Sequence, residues 1–306
     1  MPRERISVRE VGLRDGLQSV AAVMPTAKKC EWLSREHAAG IREFEVTSFV
    51  PARLLPQLAD ADAVVEHALG LRGATVAALV PNLRGAERAL AAGVHKIAVV
   101  ISASESHNRA NVHASVADSV AQFRRIVACA RATERKISIS AGISTAFGCG
   151  IEGAVSEDDV LRLAATLAEA GAAEITLADT VGYGSPRVVH ALFASAARLL
   201  GGLPLVGHFH DTRGLGLANA YAATQAGVRA LDASLAGLGG CPYAPGATGN
   251  VVTEDLVFML EACGFDTGVD VECLIGARAV LAEAFPAEPL YGALAKAGQP
   301  RPARKE

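Results

Sequence analysis

The chain has 306 residues, of which 51% are hydrophobic and 20% charged, so it can bury a large core in one barrel-sized domain or in two smaller ones. A formal net charge of -3 gives no broad basic field, which argues against nucleic acid as a partner. The six cysteines include no Cys-x-x-Cys pair, which indicates reduced thiols and no disulfide framework. Composition therefore favours an enzyme that acts on a small molecule.

The start of the chain is charged and passes at once into an apolar, strand-like run, with no signal core before it. No apolar run approaches the ~20 residues that a helix needs to cross a bilayer. These two observations predict a soluble, cytoplasmic protein with no membrane partner.

Strand-like and helical patterns alternate along the whole chain. Helical periodicity is strongest over residues 27–39, 55–69, 83–92 and 157–170, with a long helix that ends near 132 and a polar loop predicted over 102–113. Eight strand-like runs precede the helical patterns, at residues 6–11, 41–47, 74–80, 94–101, 136–143, 173–178, 204–210 and 229–235.

Eight strand-then-helix units predict an α/β fold of the (β/α)8 type, a TIM barrel. An open doubly wound sheet is the alternative, but no Gly-x-Gly-x-x-Gly turn follows the first strand. We expect one catalytic barrel domain over residues 1–298, with an extra C-terminal helix near 271–284. The polar tail 299–306 is expected to be mobile.

The strand at 204–210 ends with two histidines one residue apart, His208 and His210. Because side chains alternate along a strand, both imidazoles must point the same way while Phe209 points the other. Two imidazoles on one face supply half of a metal site, although two buried histidines satisfied by their neighbours would give the same pattern. The choice depends on whether other strand ends bring oxygen ligands to the same place.

Ionic residues do follow other strands, at the carboxyl ends where the active site of a (β/α)8 barrel lies. Arg14 and Asp15 come after the first strand, Glu45 lies within the second and Asp179 ends the sixth. Asp15 and Asp179 could instead cap turns or helices. A buried Glu45 needs a partner, and Arg14 is the one we expect.

The eighth strand runs into a segment rich in glycine and proline that holds Cys241 and Asn250. A free cysteine is usually a small buried hydrophobe, but this segment is poor core material, so we expect a loop shaped for substrate. The other cysteines are expected in helices or buried loops. Two histidines, a carboxylate and an amide oxygen suit Mg²⁺ or Mn²⁺ better than structural zinc. The sequence therefore predicts an open, catalytic metal centre.

Four stretches resemble the 3-hydroxy-3-methylglutaryl-CoA lyase family, which belongs to a superfamily of metal-dependent lyases and synthases built on a (β/α)8 barrel. They are residues 11–18, 45–50, 208–211 and 237–255. The resemblance covers nearly the whole chain, and the run Gly-Leu-Gly-Gly-Cys-Pro-Tyr-Ala at 237–244 is highly specific to the lyases.

This resemblance carries expectations for individual residues. It implies four ligands to a divalent cation, Asp15, His208, His210 and Asn250. It implies a catalytic group made up of Arg14, Glu45, Asp179, His208 and Cys241. The base that takes a proton from substrate is left open between Asp179 and His208. Departures from the family at Leu13, His107, 150–151 and Phe209 leave the acyl group of the substrate open.

The implied reaction is a retro-Claisen cleavage of 3-hydroxy-3-methylglutaryl-CoA, or of a related 3-hydroxyacyl-CoA, to acetyl-CoA and acetoacetate or the matching 3-oxo acid. The implied partner is an acyl-CoA substrate, and self-association into a dimer or tetramer is expected. One alternative is a Claisen-condensing synthase of the isopropylmalate or citramalate type, which usually has extra C-terminal domains. The other is a catalytically silent barrel that binds an acyl-CoA or a protein.

Overall fold

The structure is a computed structural model that describes residues 3–239 and 249–300. Its strands are β1 Glu4–Arg5, β2 Ser7–Glu10, β3 Glu43–Ser48, β4 Thr75–Leu79, β5 Lys96–Ser102, β6 Ser138–Ser144, β7 Glu174–Asp179, β8 Leu205–Phe209, β9 Ala230–Ala233 and β10 Phe265–Asp266. Strands β2 to β9 run parallel and close into a barrel, while β1 and β10 pair separately. The predicted TIM barrel is confirmed.

Helices follow the barrel strands and cover its outside. They are α1 Thr26–Ala39, α2 Ala61–Leu69, α3 Leu83–Ala92, α4 Glu105–Val112, α5 Val116–Arg131, α6 Glu157–Glu169, α7 Pro186–Leu200, α8 Gly216–Gln225, α9 Thr253–Ala262, α10 Val271–Ala284 and α11 Ala293–Ala297. Helix α10 lies where the extra C-terminal helix was expected. Within 3–239 and 249–300, the helices are all too short or too polar to cross a membrane.

Apolar side chains between the strands and the helix layer form the main core. Phe44, Val76, Ile97 and Ile139 lie on consecutive strands and are almost completely buried. They face the helices, and neighbouring residues of a strand point to opposite sides of the sheet. The side chains one position away therefore point into the barrel, and in this protein several of those are charged.

An ion network of Arg9, Glu43, Lys96, Glu174 and Asp232 lies inside the barrel, near the amino ends of the strands. The Arg9 guanidinium is 2.9 Å from Glu174 and 3.0 Å from Glu43, and the Lys96 ammonium is 2.8 Å from Glu174. Burial by itself would raise the pKa of Glu174, but Arg9 and Lys96 lower it. Each carboxylate of this interior ion network therefore faces a cation.

Two local predictions were wrong. The polar stretch 102–113 is not a loop, because Ser104 accepts a hydrogen bond from the backbone N–H of His107 and starts α4. The helix predicted from residue 55 begins only at Ala61, since the Pro56–Leu58 segment forms a separate short turn. The β1 and β10 pair and α11 were not predicted, because elements of two to five residues are too short to show a periodic pattern.

Candidate active site

The first strand of the barrel leads into a tight helical turn, Gly12–Gly16, that carries Arg14 and Asp15. The backbone approaches its neighbours closely at Gly12: a Cβ there would lie 2.5 Å from Glu10 Oε1 and 2.5 Å from Ser234 Oγ. Only glycine fits this position without displacing those buried oxygens. Close packing of the backbone therefore requires glycine at position 12, the first of the two glycines that bracket Arg14 and Asp15.

Arg14 links two carboxylates at the barrel mouth. Its Nε donates to Glu45 on β3, and its Nη1 donates to Asp15 Oδ1 at 2.6 Å. Burial alone would raise the pKa of Asp15, but Arg14, with His210 and His208, holds it well below its usual range. Asp15 is therefore an ionised carboxylate with one oxygen on Arg14 and the other facing the histidines.

His208 and His210 end strand β8 and point into the barrel on the same side. Their Nε2 atoms are 3.1 Å apart, and Asp15 Oδ2 lies 4.0 Å from the first and 3.6 Å from the second. The three ligand atoms all lie within 4.8 Å of one another. Both imidazoles therefore lie on one side of β8, as strand alternation predicted, and an oxygen ligand reaches them from another strand end.

The fourth predicted ligand, Asn250, also reaches this cluster. Its Nδ2 donates to Asp15 Oδ2 at 2.8 Å, and its backbone forms a bridge with His210. Which end of an amide is oxygen is assigned from its neighbours, so the same position can present either atom to the cluster. Asn250 therefore lies beside Asp15 and His210 at the edge of the cluster.

The buried donors of the cluster fit a divalent cation. Among the described residues no partner reaches His210 Nδ1, and the two Nε2 atoms face each other with only Asp15 beside them. Two imidazole nitrogens, a carboxylate oxygen and an amide form a mixed shell suited to a metal with open positions for substrate. This donor set is the chemistry that the sequence predicted.

Asp179 has a structural task that the sequence left open. Its two carboxylate oxygens accept the backbone N–H groups of Tyr183 at 2.8 Å and Gly184 at 3.0 Å, so it holds the turn between β7 and α7. Burial raises the pKa of Asp179 above its ordinary value, although these N–H groups and His210 partly offset the effect. No hydrogen bond joins Asp179 to the histidines within the described part of the chain.

Cys241 lies outside the described residues. Of the other cysteines, Cys149 is buried, as expected, but Cys263 and Cys273 are exposed. The expectation that the remaining thiols lie in helices or buried loops was therefore wrong for Cys263, which follows α9 on the surface. Labelling by a thiol reagent must therefore be measured separately at Cys241, Cys263 and Cys273.

Two neighbours of the predicted ligands were missed from the sequence. Gln18 Nε2 donates to Asp15 Oδ1 at 2.9 Å, and Asp232 Oδ2 lies 3.2 Å from His208 Nδ1. A carboxylate in the apolar run 230–233 was the available signal for Asp232, by the same argument that had drawn attention to Glu45. Gln18 gave no signal of its own.

A closed (β/α)8 barrel that gathers two imidazoles, a carboxylate and an arginine at the carboxyl ends of its strands has the architecture of a barrel enzyme with a candidate metal site. The HMGL-like family model matches residues 5–281, and the chain belongs to this HMGL-like family.

Relatives and solved structures agree with this membership. The hydroxymethylglutaryl-CoA lyase of Pseudomonas mevalonii is 41% identical over 277 residues, which are 90% of this chain and 91% of that protein. The crystal structure of the Bacillus subtilis HMG-CoA lyase has a TM-score of 0.90 at 39% identity and covers 97% of this chain and 99% of its own. An HMG-CoA lyase of Acinetobacter baumannii, solved with coenzyme A and 3-methylmalate, has a TM-score of 0.89 at 38% identity, with 97% and 98% covered.

Proposed function

We propose that this protein is a divalent-metal-dependent lyase that cleaves 3-hydroxy-3-methylglutaryl-CoA to acetyl-CoA and acetoacetate. The observation that carries the proposal is the buried cluster of Asp15, His208 and His210 beside Arg14 at the barrel mouth. The names of the relatives support the substrate, and the coenzyme A and 3-methylmalate bound to the Acinetobacter protein support an acyl-CoA with a hydroxy acid end.

Asp15, His208 and His210 would hold the cation, with Asn250 beside them. The open shell of mixed nitrogen and oxygen donors favours Mg²⁺ or Mn²⁺ over a structural zinc site. When bound, such an ion supplies Lewis acidity that orients a substrate hydroxyl and lowers its pKa.

The reaction breaks the bond between the carbinol carbon and the carbon next to the thioester. The hydroxyl loses its proton, its oxygen becomes the ketone of acetoacetate, and the electron pair of the broken bond forms the enolate of the thioester. Protonation of that enolate at carbon gives acetyl-CoA. The enzyme must therefore supply a base, a group that stabilises the oxyanion, and an acid.

Arg14 is the group best suited to the oxyanion. Its Nε contacts Glu45 and its Nη1 contacts Asp15, and these two contacts fix the plane of the guanidinium. The guanidinium has further N–H donors in the same plane. A fixed donor of this kind is worth roughly 3 to 4 kcal/mol to a transition state. Glu45 supports Arg14 and does not itself need to touch substrate.

Asp179 is a better candidate for the base than His208. Both nitrogens of His208 are engaged, Nδ1 with Asp232 and Nε2 with the ligand cluster. Asp179 accepts backbone hydrogen bonds from Tyr183 and Gly184, each carboxylate oxygen has more than one lone pair, and burial makes the carboxylate more basic. Cys241, in the loop predicted from the sequence, would return a proton to the enolate carbon.

The test is a cleavage assay across several 3-hydroxyacyl-CoAs with Mg²⁺ or Mn²⁺ and with an EDTA control. We expect acetyl-CoA and a 3-oxo acid in equal amounts, with highest kcat/KM for the methylglutaryl ester and no turnover in EDTA. Full activity in EDTA would contradict the metal-dependent mechanism. Condensation of acetyl-CoA with a 2-oxo acid, without cleavage, would favour the synthase alternative.

The thiol prediction has its own assay. Cys241→Ser should lower kcat with little change in KM, because the proton transfer is needed only during the chemical step. Since Cys263 and Cys273 are exposed, a variant with serine at both positions is the right background for iodoacetamide. Inactivation that follows labelling of a different cysteine would remove Cys241 from the mechanism.

The proposal also covers the location and the self-association of the protein. We place the protein in the cytoplasm, in line with the relatives that are named cytoplasmic. Assembly into a dimer or tetramer stays a prediction, which light scattering on the purified protein will check.

A further inference from the structure

The two ring nitrogens of His208 lie in different surroundings. Nε2 points to His210 and Asp15, while Nδ1 points away from them, to Asp232 Oδ2 at 3.2 Å. The contact is built into the sheet, because His208 on β8 and Asp232 on β9 are paired neighbours in the strand register. Side chains of paired residues on parallel strands leave the sheet on the same side, so the carboxylate and the imidazole are held next to each other.

Asp232 is held in turn from its other side. Arg9 on β2 is its paired neighbour in the register, and Arg9 Nε lies 3.3 Å from Asp232 Oδ1. Arg9 also pairs in register with Glu43 on β3. Along the hydrogen-bonded register, four adjacent strands therefore place an imidazole, a carboxylate, a guanidinium and a second carboxylate side by side. This row connects the interior ion network to the ligand cluster.

We propose that Asp232 is a positioning residue for the metal centre, which keeps the Nδ1 proton on His208 so that Nε2 presents its lone pair to the cation. The proposal rests on the metal-dependent function proposed above. Arg9 has the supporting task of holding Asp232 in place.

An ionised carboxylate decides which tautomer of a neighbouring histidine is favourable. It accepts hydrogen bonds and donates none, so beside Asp232 the favourable state of His208 has a proton on Nδ1. The other tautomer would set a nitrogen lone pair against the Asp232 carboxylate and aim a proton at the ligand cluster. A carboxylate behind a ligating histidine fixes both its tautomer and its ring orientation. Neither Asp232 nor Arg9 needs to touch substrate.

The experiment measures Mn²⁺ binding to the full chain by electron paramagnetic resonance, without substrate. Asp232→Asn removes the charge at nearly constant shape, and we expect Mn²⁺ affinity to fall 10- to 100-fold. Asp60→Asn is the matched control, because it removes a carboxylate from an ion pair with Lys29 that shares no partner with His208, Asp232 or Arg9 among the described residues. It should bind Mn²⁺ within about twofold of the parent, since no ligand depends on it. Wild-type affinity in Asp232→Asn, with a folded circular dichroism spectrum, would overturn the proposal.

A second measurement needs no change at Asp232. Nitrogen-15 spectra of the unsubstituted protein, with the His208 signals assigned through His208→Gln, should show the Nδ1–H tautomer once the ring is neutral. A dominant Nε2–H tautomer would overturn the proposal even if Asp232→Asn cannot be folded. Because neither readout uses an acyl-CoA, a protein that passes both and still cleaves no acyl-CoA would contradict only the proposed reaction.

Discussion

Two regions of the barrel bury charge in opposite ways. In the interior ion network, near the amino ends of the strands, carboxylates face cations, as Glu174 faces both Arg9 and Lys96. At the mouth, like groups face like groups: the Nε2 atoms of His208 and His210 are 3.1 Å apart. Unlike charges satisfy each other, whereas two imidazole nitrogens satisfy each other only through a proton or another cation between them.

A second pair of like groups lies behind the first turn of the mouth. Glu10 and Glu36 are completely buried, and their carboxyls interact with each other. Burial raises the pKa of Glu10 to about 7, and burial with the Glu10 charge raises that of Glu36 well above its ordinary value. Here the cation is a proton. At these two places the facing like groups are suited to take up an ion, a metal cation between the imidazoles and a proton between the carboxyls.

The largest effect should come from removing one of the facing imidazoles. His210→Ala should abolish detectable turnover, a loss of at least ~10³-fold, and weaken Mn²⁺ binding, because a ligand is lost while the core stays intact. Atomic emission of the purified protein and circular dichroism check metal content and fold. His190→Ala, at an exposed position of α7, is the control and should bind Mn²⁺ normally. Turnover at the parent rate in His210→Ala would refute a metal role for this pair.

Breaking the interior ion network at Lys96, away from Asp232, should cost stability and leave chemistry alone. Lys96→Met strips a buried cation from Glu43 and Glu174, and we expect a loss of about 3–5 kcal/mol in the free energy of unfolding. Urea denaturation measures this loss, and kcat per folded molecule should stay within about twofold of the parent. Lys28→Met, which breaks exposed ion pairs, should change stability little. Reduced kcat with unchanged stability would reverse the roles of the two regions.

Arg14→Lys tests the guanidinium at the mouth. The positive charge stays, but the planar fork that contacts Glu45 and Asp15 together is lost, so kcat should fall at least ~10²-fold with the protein folded. Steady-state kinetics with the methylglutaryl ester measure it. Arg88→Lys, at an exposed pair with Asp62, should leave kcat unchanged. A near-normal rate in Arg14→Lys would make Arg14 a structural partner of Glu45 only.

The smallest effect concerns the shared proton of Glu10 and Glu36. The folded state binds a proton on Glu36 that the unfolded state releases near pH 4.5, so stability must fall as pH rises above that value toward the raised pKa. Glu36→Gln cannot ionise, and its stability advantage should grow by about 1.4 kcal/mol per pH unit over this window. Urea denaturation at pH 5 to 8 checks it, with Glu31→Gln on the same helix as the control. Equal pH slopes for Glu36→Gln and the parent would mean that Glu36 is already ionised.

Sequence alone determined the barrel, because eight strand and helix periods in series leave few ways to bury so many apolar faces. It also determined that His208 and His210 share a face, since alternation along a strand is fixed by backbone geometry. Asp15 and Asn250 could be expected too, because they follow strands, and Arg14 could be expected beside Glu45, because a carboxylate buried within a strand needs a cation.

Register and packing were beyond the sequence. That Asp232 backs His208, and that Arg9 backs Asp232, depends on which residues of β2, β8 and β9 pair, and a shift of one residue would turn these side chains to the other face. The contact of Glu10 with Glu36 likewise depends on how α1 packs on the first strand. Periodicity states which face of an element is buried, but the partner of each buried charge is decided only when the strands close and the helices pack around them.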